Sequence, residues 1–472
     1  MKNSKKFIIA LLALSIALIS ADSAYAFGKK KAKSAETAIQ SVSAEHTYTN
    51  ENHSVFSLND CIEIAIKYNP AIQAAFYSED VYKTKIGQAW ANYFPSISAS
   101  LDISRSGNHY NKEIPPYYSR SVYSTMGYVP NISADMLIFD FGKTKATADM
   151  AKRMYESEVE NTKESINRII YDIKSTYFNI LFAQAQVKVY EDTVKDYQLQ
   201  LEQAWGFYKY GTKPKLDVVT AEYNLGKAKL NLVKAKNILE VAQIQLSKIM
   251  GIPEYTNYEL SDEMTLNAYG LTVDEAIEKA MDVRPELLAA KKNVDAAKMN
   301  LRAARRNFTP DIGMFGSFGN GIGNDYNVRS SQFGVGMNYS GLNLARHKKQ
   351  VDEAKASYKM SMAQYENVKD DVYFNVKKNY MELETAREAI VIAKLALDEA
   401  KEQYRQVTGR YKAGVGDAIE LKDGENTYLN ARLDFYNSML NYNTIAANLE
   451  KEIGVPITFS DEKILNITEE DL

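Results

Sequence analysis

Ser57-Leu58-Asn59-Asp60-Cys61-Ile62-Glu63 runs toward Asn69-Pro70, and a second proline, Pro95, follows Phe94. Thr272-Val273-Asp274-Glu275-Ala276-Ile277-Glu278 runs toward Arg284-Pro285, and Pro310 follows Thr309. Both prolines thus recur at an offset of 215. Farther on, Tyr177 recurs as Tyr380, Gly211 as Gly414, and Gly251-Ile252-Pro253 as Gly454-Val455-Pro456, all at an offset of 203. The chain is written twice, with 12 extra residues in the first copy between the second proline and the next helix. A period near two hundred residues is too long for a solenoid. It predicts a duplicated, domain-sized unit with pseudo-two-fold symmetry, residues 55–254 and then 255–456.

The flanks read differently. Lys2, Lys5 and Lys6, the apolar run from Phe7 to Ser20, and Ala24-Tyr25-Ala26 compose a secretory signal over residues 1–26. No cysteine follows the cleavage site, so no lipid anchor is expected. Residues 27–54 are polar without periodicity and are read as a flexible leader; residues 457–472 are read as an acidic tail, frayed from Ser460. The single cysteine, Cys61, rules out an intrachain disulfide framework and is expected as a small buried side chain. A net charge of −3 gives no electrostatic case for nucleic acid. Beyond the signal no run of ~20 apolar residues suggests a transmembrane helix. Tyrosine is over-used, 33 against 17 Phe, which suits surfaces that are half wet and half apolar.

Two periodicities divide the rest. In Ser96-Ile97-Ser98-Ala99-Ser100-Leu101-Asp102-Ile103-Ser104 the odd positions are apolar and the even ones polar. The alternation recurs in Asn131 to Met136, Asp311 to Phe318 and Gln332 to Tyr339. Stretches of about nine to eleven residues are the length at which a tilted strand crosses a bilayer. The small polar set (Ser, Gly, Asn, Asp) suits a wet lumen, although a strand over a soluble core would also alternate. Elsewhere the period is helical. Lys143 to Tyr210 and Ala345 to Lys412 contain no proline, and Ile166, Ile169, Ile170, Ile173, Tyr177, Ile180 and Leu181 make an apolar stripe. A helix of about 68 residues is ~100 Å long. Each ends in a glycine turn, Gly211-Thr212-Lys213-Pro214 or Gly414-Val415-Gly416, and a returning helix follows, Lys215 to Met250 or Asp417 to Ile453.

Several short motifs are decoys. Gly142-Lys143-Thr144 lacks the earlier glycine of a phosphate loop, since Leu137 holds that position, and reads as the start of a surface helix. Asp140-Phe141-Gly142 has no catalytic-loop companion. Gly319, Gly321 and Gly323 read as a flexible loop between strands. Four His and one Cys are too scattered for a zinc site. No nucleophile–base or paired-carboxylate arrangement can be built, so neither an enzyme nor a cofactor is expected.

Four membrane-length strands cannot stand alone in lipid, because an open edge leaves unpaired backbone groups and barrels must close. Two chains would supply eight strands, three would supply twelve and leave a pore. The long helices are too charged for lipid and must project into water, packed side by side. At this point the chain resembles the TolC-type outer-membrane efflux channels, or outer membrane factors. The residues that carry the resemblance are Leu58-Asn59-Asp60 with Ala65 and Asn69-Pro70; Phe94-Pro95-Ser96-Ile97; Leu137 to Gly142; Tyr210-Gly211 with Leu216-Asp217-Val218-Val219 and Ala221; Tyr411, Gly414 and Ile419-Glu420-Leu421; and Gly251 and Gly454. It covers roughly residues 56–456.

The resemblance implies an α+β membrane protein. Its duplicated repeat would give, in a homotrimer, a 12-stranded transmembrane β-barrel continued by a long periplasmic α-helical barrel. It implies an outer-membrane exit duct of a tripartite efflux or type I secretion system, passive in itself, with a periplasmic adaptor, an inner-membrane pump and outer-membrane lipid as partners. Carried over residue by residue, the periplasmic gate falls on Glu420 and Asp423, which share a helix face, and on Tyr411 and Asp217, the pair that links neighbouring helices when closed. The basic residue of some members' gates falls on Gly416. The adaptor-contact tips fall on Gly211, Thr212, Lys213 and Pro214, and on Gly414, Val415 and Gly416. An alternative left open by the residues alone is a periplasmic coiled-coil scaffold without a pore. The cargo, whether drug, metal ion or protein, is not legible.

Overall fold

The computed structural model describes residues 54–107, 124–253, 258–261, 267–322, 327–339, 343–454 and 459–463. The signal segment, the leader up to residue 53, and the part of the tail beyond residue 463 lie outside them, as does most of the surplus loop of the first copy. The chain divides into two compact units. Among the described residues the smaller comprises Ser54, Val55, Tyr258 and Glu259, most of the paired strands β1 (Ser54–Phe56) and β4 (Tyr258–Leu260). The rest of the chain forms the larger unit.

In the larger unit one order of elements occurs twice. Helices α1 (Leu58–Tyr68) and α2 (Pro70–Trp90) lead into strands β2 (Ser96–Gly107) and β3 (Ser124–Phe139), then helices α3 (Lys143–Lys209) and α4 (Lys215–Met250). After a short strand β5 (Asn267–Tyr269) come α5 (Val273–Val283), α6 (Pro285–Arg306), β6 (Asp311–Ile322), β7 (Asn327–Asn338), α7 (Leu344–Lys412) and α8 (Ala418–Ile453). The repeated opening motif is a capping box in both copies. Ser57 and Asp60 exchange side chain–backbone hydrogen bonds at the start of α1, and Thr272 and Glu275 do the same at α5. Each box satisfies two orphan helix donors. Proline at the first position of α2 and α6 then starts a new helix, because it needs no partner for a missing N–H.

Helices α3 and α7 run for 67 and 69 residues. Interior proline is absent, and the long glycine-free stretches let the backbone ladder continue unbroken. Ile169, Ile173, Tyr177 and Ile180 are buried at steps of four, four and three, so the apolar stripe is the packed face. The main core lies where α8 meets α7 and α3, around Val372, Val376, Leu383, Ile390, Phe435 and Met439. Cys61 is fully buried on α1, as expected.

The four long strands form one antiparallel sheet in the order β2-β3-β6-β7. Its register confirms the alternation. Ile97, Ala99, Leu101 and Ile103 share one face, and Ser96, Ser98, Ser100 and Asp102 the other, where Ser98 and Ser133 hydrogen-bond at 2.7 Å. Ile132 pairs with Phe318 and Met136 with Met314 on the apolar face, while Ser133 pairs with Ser317 on the polar one. Sixteen residues connect β2 to β3 but four connect β6 to β7, which accounts for a surplus of twelve in the first copy.

Two expectations are corrected. Gly319 and Gly321 lie in strand β6 rather than in a loop; a Cβ at Gly319 would sit 3.2 Å from Asn131 Oδ1, so close strand contact explains that glycine. The tail is not frayed throughout, since Phe459–Lys463 forms strand β8, paired with β5. Pairs of three to five residues carry too little alternation to be seen in sequence.

Candidate functional site

The chain reverses twice at glycine turns. Gly211 and Gly414 adopt φ of +71° and +77°, a region open to glycine at no steric cost. Thr212 N–H and Thr212 Oγ1 both donate to the Phe207 carbonyl, at 2.9 and 2.8 Å, closing the first turn. Val415 and Gly416 both donate backbone N–H to the Arg410 carbonyl, closing the second. Apolar side chains stand exposed around both turns: Tyr210 is 81% exposed, Val415 74% and Ile419 66%.

Beside the turns the four candidate gate residues differ in setting. Tyr411 is buried, edge-on to Phe207 with 6.0 Å between ring centres. Burial first, and then the carboxylates of Asp217 and Asp417, push its phenol up. Glu420 is half-buried and pairs with Arg410 at 2.7 Å, whereas Asp423 is exposed one turn on. Asp217 is half-buried and lies 3.8 Å from Lys213 Nζ.

Lys213 joins these groups. Its ammonium donates to the Gly416 carbonyl at 3.2 Å and lies 4.2 Å from the centre of the Tyr411 ring. Lys213 and Gly416 are equivalent positions of the two copies, 203 residues apart. The basic residue absent at Gly416 therefore stands at the matching place in the other turn. Gly416 itself cannot carry a side chain in this geometry, because a Cβ there would lie 2.8 Å from Tyr411 N.

Two further groups were assigned no role from the sequence. Glu425, two residues past Asp423, points into the wall rather than along the Asp423 face. It is buried beside Tyr197, accepts a hydrogen bond from Gln200 at 3.0 Å, and among the described residues its second oxygen has no partner within hydrogen-bond geometry. Burial above all raises its pKa to about 7, with nearby Asp196 adding to the rise. Asp140, part of a rejected motif, is buried where β3 turns into α3. It accepts from Thr144 N–H at 2.6 Å, Gly142 N–H at 3.1 Å and Tyr93 OH at 2.7 Å, clamping strand to helix. Its role needed Tyr93, 47 positions away, to be legible.

Among the described residues no group of His, Cys, Asp and Glu is placed to hold a metal, and no helix is long and apolar enough to cross a membrane. The sheet is the element with membrane character.

A family model described as outer membrane efflux protein matches residues 61–252 and 276–455. The chain belongs to that family. It is an outer-membrane exit duct with a periplasmic extension, not an enzyme. Among its relatives, the probable efflux pump outer membrane protein TtgC of Pseudomonas putida is 21% identical over 84% of this chain and 83% of its own length. The alkaline protease secretion protein AprF of Pseudomonas aeruginosa is 20% identical over 86% of each. The fold is that of solved outer-membrane channels: the Campylobacter jejuni CmeC channel superposes with a TM-score of 0.70 at 17% identity, covering 86% of this chain and 87% of that one. The two family matches fall on the two copies. Membership decides against a scaffold without a pore.

Proposed function

We propose that three copies of this chain close a 12-stranded barrel continued by a helical tunnel, and that the duct receives cargo from a periplasmic adaptor and an inner-membrane pump. The observation that carries this reading is the sheet. Among the described residues its outer strands, β2 and β7, leave two unpaired edges, and one face presents exposed Ile97, Leu101, Ile103, Phe333, Val335 and Met337. In lipid, unpaired backbone groups cost several kcal/mol each, so both edges need partners. With four antiparallel strands, β7 of one copy meets β2 of the next antiparallel, and three copies return to the start.

In this arrangement Gly211 to Pro214 and Gly414 to Gly416 are the tips that meet the adaptor, and the exposed Tyr210, Val415 and Ile419 supply the apolar contact such docking requires. Asp217, Tyr411, Glu420 and Asp423 form the gate. Three-fold repetition brings like carboxylates together, which favours bound cations. The pairing of Glu420 with Arg410 reduces that ring's charge and leaves Asp423 as its stronger member.

Cysteine pairs across the proposed seam test the reading: Ser98 or Ser100 on β2 with Ser330 or Gln332 on β7, in a Cys61→Ala background. Mild oxidation should give a ladder of covalent dimers and trimers on denaturing gels for at least one register. Monomers alone in every combination would refute closure between copies.

A further inference from the structure

The helix ends that abut the sheet share a charge pattern that the duct reading does not use. Residues 81–95, 143–148, 296–310 and 344–351 are the ends of α2, α3, α6 and α7 nearest the strands. Together they hold eleven Lys or Arg and no Asp or Glu, with Asp80, Asp149, Asp295, Asp311 and Asp352 standing just outside their limits. The chain as a whole is net negative. Among the described residues only Lys349 of these cations forms an ion pair, with Asp352, whereas elsewhere on the long helices cations are commonly spent in pairs three or four residues apart, as Lys163–Glu160, Lys394–Asp398 and Arg405–Glu402 are.

The collar is densest on α6. Lys298, Arg302, Arg305 and Thr309 follow one another at steps of four, three and four, so they lie along one face of the helix and the turn beyond it. With Arg306, and with Tyr358 of α7, they line a cleft of about 530 Å³. Among the described residues none of the four cations forms an ion pair. Leaving four cations unpaired around one cleft, with the Tyr358 hydroxyl beside them and that of Thr309 already donating to the Arg306 carbonyl at 2.6 Å, suits a polyanionic oxygen group; guanidinium forks match phosphate two bonds at a time.

The position selects the source of that phosphate. Strand β6 begins at Asp311, two residues beyond Thr309. At ~1.5 Å per residue the charged stretch of α6 spans roughly the first 15–20 Å below the barrel. Aromatic side chains lie between collar and strands. Phe139 is brought opposite Ile312 by a bulge at the end of β3, and Tyr339 continues the outward row of Phe333, Val335 and Met337. Trp90 and Phe94 are exposed at the same level. An apolar band, then aromatics, then cations is the order of environments met on leaving a bilayer through its headgroups.

We propose that this basic collar, centred on the cleft of Lys298, Arg302, Arg305 and Arg306, binds the phosphates of anionic phospholipids in the periplasmic leaflet. It rests on the reading of the sheet as a membrane barrel. The collar fixes the depth and tilt of the duct and enriches anionic lipid around it.

The test uses the full chain in phosphatidylcholine vesicles, with and without a minor fraction of phosphatidylglycerol, and in a variant with Arg302→Gln, Arg305→Gln and Arg306→Gln. Conductance in pure phosphatidylcholine reports barrel insertion alone; its absence for the parent protein would sink the barrel reading and this proposal together. Retained lipid is then read by native mass spectrometry. The parent should enrich phosphatidylglycerol, and the triple variant should conduct equally while losing the enrichment. Each cation near an anionic surface contributes about fivefold, so the loss should be on the order of a hundredfold. A second variant with lysine at all three positions, which keeps the charge and loses the guanidinium forks, should enrich phosphatidylglycerol less than the parent but clearly more than the glutamine variant, which separates charge from misfolding. Added inorganic phosphate should not displace the lipid. Parent protein without preference for phosphatidylglycerol, or equal enrichment by the triple variant, would overturn the proposal. So would displacement by free phosphate, or a triple variant whose ion selectivity changes while its lipid does not, since the cations would then line the tunnel.

Discussion

The two corners where a short helix meets the next one perform the same task with different chemistry. In the first copy Asn69 precedes Pro70; in the second Arg284 precedes Pro285. Their backbones are nearly superimposable, at φ −65°, ψ 120° and φ −62°, ψ 121°, the extended region that a following proline imposes. Each corner fastens to the end of the returning helix, where Gly251 or Gly454 turns with φ above +80°. Asn69 does so without charge: Oδ1 accepts from Ala71 and Ile72 N–H, and Nδ2 donates to the Ile249 carbonyl at 2.6 Å. Arg284 is 4% exposed, donates to the Glu452 carbonyl at 2.8 Å, and is held between the carboxylates of Glu452 and Glu286. Duplication has therefore kept the backbone requirement, extended residue, proline and left-handed glycine, while the side chains that exploit it have diverged.

The largest expected effect breaks the charged corner. Arg284→Ala takes from buried Glu452 the more buried of its two cations and leaves it only Lys451, at 3.1 Å; breaking a buried pair costs up to about 3–5 kcal/mol, and the remaining lysine places the loss toward the lower end. Asn69→Ala removes a helix cap and one long-range hydrogen bond, worth about 1–2 kcal/mol. Thermal unfolding followed by helical circular dichroism should place Arg284→Ala well below Asn69→Ala. Replacing both partners, Arg284→Met with Glu452→Met, should recover much of the loss. Equal destabilisation by the two single variants would mean that the buried ion pair contributes no more than a neutral cap.

The same contrast marks what the sequence conveys. Proline, glycine, capping residues and period-2 or helical spacing are local signals, and they located both long hairpins to within a few residues and all four sheet strands. Strand ends were less legible: Pro130 lies inside β3 opposite Leu101, although proline argues against a strand. Partners are not local. Nothing near Arg284 announces Glu452, 168 residues away, and nothing near Asp140 announces Tyr93. The gate positions came from family resemblance. Their surroundings, Arg410 beside Glu420 and Lys213 over Tyr411, came from the folded turns.

A second divergence concerns Glu222 and Glu425, which are equivalent by the offset of 203. Glu222 is exposed on α4, and Glu425 is buried on α8 between Gln200 and Tyr197 of α3, with Asp196 nearby. Burial lifts Glu425 from an ordinary 4.5 to about 7. The folded state then holds a proton that the unfolded chain has lost between those values. Stability falls as pH rises from about 4.5 to about 7 and is level above. The span corresponds to roughly 3 kcal/mol at most. Glu425→Gln should flatten that part of the unfolding profile and raise stability at neutral pH. A profile equally steep in Glu425→Gln would assign the dependence to Asp196 or another group.

The smallest effect is expected where the two turns touch. Lys213 and Gly416 are equivalent positions, and only the first retains a cation, which reaches across to the carbonyl of the second. It also lies over Tyr411 and near Asp217. A half-buried ammonium with a ring face and a carboxylate contributes about 1 kcal/mol, and this is the energy that would hold the two turns of one chain together. Lys213→Gln should therefore raise the leak conductance of the closed duct about fivefold in planar bilayers without altering its open conductance. Restoring the charge at the equivalent position should fail. With Lys213→Gln in place, Gly416→Arg would need its Cβ 2.8 Å from Tyr411 N, so the backbone of the turn must shift before the new cation can reach Asp217. Leak in the double variant should stay at or above that of Lys213→Gln. If Gly416→Arg instead returned the leak to the parental level, the two positions would be interchangeable sources of one charge, and the asymmetry between the turns would carry no functional weight.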